Sequence, residues 1–140
     1  MALETKLTIG NDLEELDRVH TWVEAFQADN ALSADVAFAL TLSFDELLTN
    51  IISYGYPTDV QHAVWISMRI VGEDLHIRIE DQAAPFNPLT AEEPDIDAPI
   101  EERRIGGLGI HFVRTVMDSV EYQHSNGRNI LLLVKRLTPT

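Results

Sequence analysis

Apolar and polar residues alternate in five short stretches of the chain, and this period of two predicts β-strands. The stretches are Leu3–Ile9, Val64–Ile70, Leu75–Ile79, Val120–Ser125 and Asn129–Leu137. Gly72-Glu73-Asp74 separates the second stretch from the third, and Asn126-Gly127 separates the last two. Because short segments of this composition are typical of tight turns, the sequence predicts two β-hairpins.

Three other segments have apolar residues at helical spacing. The first predicted helix runs from Asn11 to Asp29, with Asn11 as its N-cap and Glu14 completing a capping box. The second runs from a Ser33 cap to about Tyr54, where Gly55 and Pro57 end it. The third contains the apolar residues Leu108, Phe112, Val113, Val116 and Met117.

The order strand, two helices, two strands, helix, two strands predicts an α+β fold. We expect a two-layer sandwich, in which three helices cover one face of a mixed, mostly antiparallel sheet. Residues 1–140 are expected to form one domain, with Trp22 and Trp65 in its core. Between the third strand and the third helix, the segment Ala83–Arg104 contains four prolines and many acidic residues. A loop of this length is usually functional.

Composition narrows the classes of function. The chain has 140 residues, no cysteine and a formal net charge of −13. Such an acidic surface repels phosphate backbones, so we expect no direct nucleic-acid binding, and a bound nucleotide would need Mg²⁺ to offset charge. The sequence has no apolar run of the ~20 residues that span a bilayer and no signal-peptide pattern at Met1. These features predict a cytoplasmic protein that does not bind membranes.

Glu46 and Asn50 lie four residues apart in the second predicted helix. Residues at this spacing are about 400° and about 6 Å apart, so their side chains are neighbours. The stripe that contains them, Ala39, Ser43, Glu46, Asn50 and Ser53, lies nearly opposite the apolar stripe. This pattern fits a solvated helix face. It also fits a ligand site, in which Glu46 accepts a proton and the Asn50 oxygen binds Mg²⁺.

Two later segments contain further candidate ligands. Asp81 ends a predicted strand, where its carboxylate can either initiate a turn or accept a hydrogen bond from an exocyclic amine such as that of adenine. Ile105-Gly106-Gly107-Leu108-Gly109-Ile110 opens the third helix. Its glycines and the helix dipole favour phosphate, although a hinge after the long loop gives the same composition.

Together these segments resemble the motifs of the GHKL (Bergerat-fold) ATPase and kinase superfamily. Glu46 and Asn50 are similar to its N-box, Asp81–Phe86 to its first glycine box, and Gly106–Gly109 to its second. Within the superfamily, nearly the whole chain is most similar to the small anti-sigma-factor serine/threonine kinases of bacteria. One residue departs from the pattern, because Ala83 stands where the first box has glycine. If that position needs a positive φ, Ala83 is strained and nucleotide binding is weakened.

The resemblance implies an ATP and Mg²⁺ site. Asp81 would bind the adenine amine near Ala83, and Asn50 would hold Mg²⁺ against the phosphates. Phosphate oxygens would lie on the backbone of Gly106, Gly107, Leu108 and Gly109, under a mobile lid at about 87–105. Glu46 would be the catalytic base. Arg103 and Arg104 lie beside the phosphate loop, where they are either phosphate ligands or a solvated pair.

The resemblance also implies the activity and the partners. We expect an ATP-dependent protein serine/threonine kinase that phosphorylates a STAS-type anti-anti-sigma protein and sequesters a sigma factor. The alternative is a nucleotide-gated binding module without efficient catalysis, which the alanine at position 83 favours. A sensor histidine kinase is disfavoured, because the ATP domain takes up all 140 residues. The oligomeric state stays open, although members of the family often form dimers.

Overall fold

The computed structural model of the chain describes residues 4–55, 62–83 and 107–137. Within these ranges there are five strands, β1 (Glu4–Gly10), β2 (Ala63–Val71), β3 (Asp74–Asp81), β4 (Ser119–Ser125) and β5 (Arg128–Arg136). The three α-helices are α1 (Leu16–Asn30), α2 (Ala34–Asn50) and α3 (Gly107–Val116). Their order along the chain is the predicted one, and most bounds agree within two residues.

The strands form one sheet with the order β1-β2-β3-β5-β4. Every neighbouring pair is antiparallel. Two tight turns close the hairpins, and Gly72 in the first has a φ of +62°. Asn126 and Gly127 in the second have φ of 54° and 76°, the pair of positive values that a type I′ turn requires. The predicted α+β class and both hairpins are therefore confirmed.

The core lies between the helices and one face of the sheet. The inner-face residues are apolar and almost fully buried, and they are Ile9, Val64, Ile66, Met68, Leu75, Ile77, Ile79, Leu131 and Leu133. Helix α2 is the central helix, since it packs against both α1 and α3. Its residues Leu40, Leu47 and Leu48 are at most 1% exposed. The range Ala34–Ser53 is apolar and long enough to cross a membrane, but its burial inside the fold is that of a core helix.

The predicted cap of the first helix is wrong. Asp12, not Asn11, caps the start by accepting a hydrogen bond from the Glu14 amide at 2.9 Å, and a single 3₁₀ turn precedes α1. The Asn11 side chain instead accepts a hydrogen bond from the amide of His62 at 2.9 Å. Local sequence favoured Asn11 as the cap, but a contact 51 residues away uses this side chain.

The two tryptophans do not share one environment. Trp22 is half-buried at the core edge, where its ring lies 5.6 Å from that of Phe44 and its Nε1 donates to Thr5 Oγ1 at 2.9 Å. Trp65 is on the outer face of the sheet, and the Arg128 guanidinium lies 4.4 Å above its ring. The predicted core position of Trp65 is therefore wrong, because the strand alternation points its side chain away from the helices.

Candidate functional site

Helix α2 places Glu46 and Asn50 on the side of the sheet that the helices cover. The helix starts at a Ser33 cap, whose Oγ accepts from the Val36 amide at 3.2 Å, as predicted. Ala39 and Ser43 belong to the same stripe and are each 2% exposed. A fully solvated face is therefore the wrong interpretation of this stripe, because α2 is flanked by α1 and α3 and buries its small residues.

Asn50 is a buried side chain whose carboxamide has no hydrogen-bond partner among the residues that the structure describes. The residue is 7% exposed and is the last one of α2. A π-helical turn, Ile51–Gly55, follows directly, and such turns are frequent at functional sites. Within the described residues, the Ser43 hydroxyl, two turns earlier, is fully buried without a hydrogen-bond partner. Because the Asn50 oxygen has no hydrogen bond within the described residues, it is available to bind a ligand from outside the protein.

Glu46 is half-buried on the turn before Asn50. Burial raises the pKa of its carboxyl group above the ordinary value, and the negative charge of Asp45 raises it further. Asp45 is itself held by α1, since its Oδ1 lies 2.6 Å from Nε2 of His20. A carboxylate with a raised pKa is a stronger proton acceptor than an exposed glutamate, which suits a general base.

Asp81 is the last residue of β3 and is only 3% exposed. Its Oδ1 accepts two hydrogen bonds, from the Ala83 amide at 2.9 Å and from Asn129 Nδ2 at 3.0 Å. The bond to Ala83 is an Asx turn, so the turn-initiating role is present. Within the described part of the chain, Oδ2 has no hydrogen-bond partner. This second oxygen is the one that can accept from an exocyclic amine.

Asn129 is a site residue that the sequence reasoning missed. It lies on β5 directly opposite Asp81 and is 4% exposed. Its Nδ2 also donates to the Ala83 carbonyl at 3.1 Å, and its Oδ1 accepts from the hydroxyl of Tyr122 on β4. The available signal was a polar residue at an inward position of an otherwise apolar strand. This network fixes the Asp81 side chain in one orientation.

Ala83 is not strained. Among the described residues, the non-glycine residues with positive φ are Ala31 and Asn126, so Ala83 has a backbone conformation that any residue adopts. The side chain is 7% exposed and belongs to the core. The condition for strain at this position is therefore not met, since the Asx turn and Asn129 hold the segment without a left-handed residue.

Helix α3 begins at Gly107 and packs against α2. The first amides of an α-helix have no acceptor within the helix, so this helix start can bind an anion. Its other end is fixed to the sheet, because Lys135 Nζ donates to the Val116 carbonyl at 2.8 Å. The backbone of Gly107, Leu108 and Gly109 is thus in the helix as predicted. Gly106, Arg103, Arg104 and the predicted lid at 87–105 lie outside the described residues.

The elements place the predicted ligands on one side of the sheet. Asp81 alternates with the core residues Ile77 and Ile79, so its side chain is on the side that α2 covers. Within the described ranges, no group of three or more His, Asp or Glu side chains could hold a metal ion. A single amide ligand such as Asn50 is consistent with Mg²⁺, which is usually held by few protein groups together with substrate phosphates.

A known family model describes this arrangement. Residues 9–135 match the model of the histidine kinase-like ATPase domain. The chain belongs to this family. The membership confirms the predicted superfamily.

Two curated relatives are protein kinases. The chain is 29% identical to the serine/threonine-protein kinase BtrW of Bordetella bronchiseptica over 118 residues, which are 84% of this chain and 83% of BtrW. It is 28% identical to the serine-protein kinase RsbW of Bacillus mycoides over 97 residues, which are 66% of this chain and 60% of RsbW. These names agree with the kinase class that the sequence predicted. The chain spans less than two thirds of the length of RsbW.

A solved structure has the same fold. The structure of the RsbU and RsbW domains of Rv1364c from Mycobacterium tuberculosis matches 97% of this chain with a TM-score of 0.71. The match covers 32% of that longer chain, and the sequence identity is 13%. Identity this low supports the fold alone. The α+β assignment made from the sequence is thus confirmed by an experimental relative.

Proposed function

We propose that this chain is an ATP-dependent protein serine/threonine kinase whose acceptor is a STAS-type anti-anti-sigma protein. One observation carries the proposal. Glu46, a half-buried carboxylate with a raised pKa, lies one helical turn from Asn50, whose carboxamide has no hydrogen bond to any described residue. A base beside an oxygen ligand for a cation is the arrangement that phosphoryl transfer to a hydroxyl needs.

Each predicted site residue would have one role in binding or in phosphoryl transfer. When bound, Mg²⁺–ATP supplies the γ-phosphoryl group and the positive charge that offsets the phosphates. Asn50 would ligate the cation, and Asp81 Oδ2 would accept from the adenine amine. The backbone at Gly107 would face the phosphates. Glu46 would take the proton of the acceptor hydroxyl while that oxygen forms its bond to the γ-phosphorus and the bond to the ADP oxygen breaks.

The proposed partners follow from the resemblance and from charge. The second partner would be a sigma factor. This chain would sequester it when the acceptor protein is phosphorylated and no longer competes with the sigma factor for binding. The net charge of −13 disfavours direct contact with nucleic acid, so regulation would act through protein contacts in the cytoplasm. The alternative of a binding module without catalysis depended on a strained Ala83. No observation on the described residues now favours it.

Transfer of ³²P is the direct test. The chain is incubated with Mg²⁺ and [γ-³²P]ATP together with a recombinant STAS-type protein from the same organism. We expect acid-stable label on a serine or threonine of that protein. Glu46→Gln should lower the transfer rate by about 10²-fold or more, because the base is lost while the shape is kept.

Glu24→Gln is the matched control, since it removes an exposed carboxylate from α1 and should leave the rate unchanged. Acid-labile label would instead indicate a phosphohistidine and a different reaction. Full transfer by Glu46→Gln would contradict the proposed role of this residue.

A further inference from the structure

Phe38 is the most exposed large hydrophobic residue in the described part of the chain. It is 64% exposed, although it lies on the central helix α2, which buries most of its large apolar residues. Leu42 follows one turn later and is only half-buried. Exposed apolar side chains that lie next to each other often mark a protein interface.

Phe38 and Leu42 lie on the same helix as the proposed catalytic base, Glu46. Phe38, Leu42 and Glu46 follow each other at intervals of four residues. Each interval advances by about 6 Å along a helix and rotates by only about 40°, so the three side chains lie along one line. Glu46 is therefore about 12 Å from Phe38 along the helix axis.

The charged residues of α2 near Phe38, Leu42 and Glu46 are all acidic. Asp35 is exposed one turn before Phe38, and Asp45 lies next to Glu46. The sequence of α2 contains no lysine or arginine. The hydrogen-bond partner of Asp45 is His20 of α1, whose Nε2 lies 2.6 Å from Asp45 Oδ1. A partner protein with basic groups around an apolar contact would complement this surface, and an acidic partner would be repelled.

We infer that Phe38 and Leu42, with Asp35 at their rim, form the docking surface for the phosphate-accepting protein. The inference rests on the proposed function, because a protein that delivers a hydroxyl to Glu46 must cover the helix surface beside it. The acceptor would present an apolar side chain about 12 Å from its serine or threonine hydroxyl, surrounded by lysine or arginine.

Steady-state kinetics with the STAS-type acceptor protein of the ³²P experiment tests this surface. In Phe38→Ala, we expect the KM for the acceptor to rise about tenfold or more, as for a central apolar contact. The kcat at saturating acceptor and the Kd for ATP should stay within about twofold, because Phe38 is about 12 Å from Glu46 along the helix axis. Phe38→Leu should keep most of the affinity.

Two further variants sharpen the test. Asp35→Lys should raise the acceptor KM at low salt, and the effect should shrink at high salt, as expected for a rim charge. Val71→Ala is the control, since Val71 is 47% exposed on the opposite face of the sheet and should have no effect.

An acceptor KM in Phe38→Ala within about twofold of wild type, with circular dichroism showing a folded variant, would overturn the docking surface and leave the kinase activity standing. A change confined to the ATP affinity would overturn it as well. If the wild-type chain labels no acceptor, that result overturns the proposed kinase function. The docking surface, which rests on that function, is then overturned with it.

Discussion

Asn129 Nδ2 lies 3.0 Å from Asp81 Oδ1, so a side chain on β5 holds the aspartate that ends β3. The two residues are directly opposite each other in the antiparallel register. The bond occupies Oδ1 of Asp81 and leaves Oδ2 available to a ligand at this strand end. The orientation of the proposed adenine acceptor therefore depends on a neighbouring strand, and this dependence can be measured.

Asp81→Asn tests the free oxygen of the carboxylate. The amide oxygen of the new side chain can still accept from Ala83 and Asn129, but an NH₂ group replaces Oδ2. Since two donors then face each other, we expect ATP affinity to fall by at least about tenfold, with the fold retained. Titration calorimetry and thermal melting measure both effects. Asp74→Asn, at the other end of β3, is the control, and equal affinity in both variants would refute the assignment.

Asn129→Ala tests the support of Asp81. The change leaves buried polar atoms of Asp81, Ala83 and Tyr122 without this partner, so the free energy of unfolding should fall by about 1–3 kcal/mol. ATP affinity should fall too, because Asp81 is no longer fixed. Urea unfolding and calorimetry report the two quantities. Gln123→Ala, an exposed change on β4, should alter neither, and a neutral Asn129→Ala would show that the network has no structural role.

Ala83→Gly should not improve the site. Ala83 has no positive φ, and its buried methyl group packs in the core. Glycine would add backbone freedom to the unfolded chain and remove that packing, so we expect a loss of stability of about 0.5–1 kcal/mol and no gain in ATP affinity. Chemical denaturation and calorimetry check both. Tighter ATP binding by the glycine variant would contradict this account and indicate that position 83 needs a positive φ.

Asp45→Asn should shift the pH dependence of phosphoryl transfer. Burial first and the Asp45 charge second raise the pKa of Glu46, and the base works only when deprotonated. Removing the Asp45 charge lowers the Glu46 pKa, so the acidic limb of the rate profile should move to lower pH. Because Asp45 is partly exposed and its charge is only the second cause, we expect the limb to move without losing the effect of burial. A limb that moves to higher pH would contradict this electrostatic account.

Most of the fold was predictable because its signals are local. The alternation of Leu75, Ile77 and Ile79 predicts a half-buried strand, and Asn126-Gly127 predicts the turn that β4 and β5 adopt. Ser33 caps α2 through the amide of a residue only three positions away. In each case the interaction that decides the structure lies within a few residues of the pattern that predicts it.

The parts that the sequence could not predict depend on contacts distant in the chain. Asn129 meets Asp81 across 48 residues of sequence, and only the strand order β3-β5 brings them together. Ser43 looks like a surface residue from its spacing, but it is buried on a helix that packs against both α1 and α3. Trp65 is a different case, because the local alternation of β2 already places it on the outer face, and its size alone suggested the core.

Calorimetric titration of Asn50→Ala with ATP, in Mg²⁺ and in EDTA, tests the central claim most directly. For the wild-type chain, we expect binding that is much tighter in Mg²⁺ than in EDTA. For Asn50→Ala, the two affinities should be the same, because the carboxamide is the proposed cation ligand, and the fold should be intact by circular dichroism. Thr21→Ala, an exposed change on α1, should behave like wild type. A folded Asn50→Ala variant with the full Mg²⁺-dependent affinity would contradict a nucleotide site at this helix.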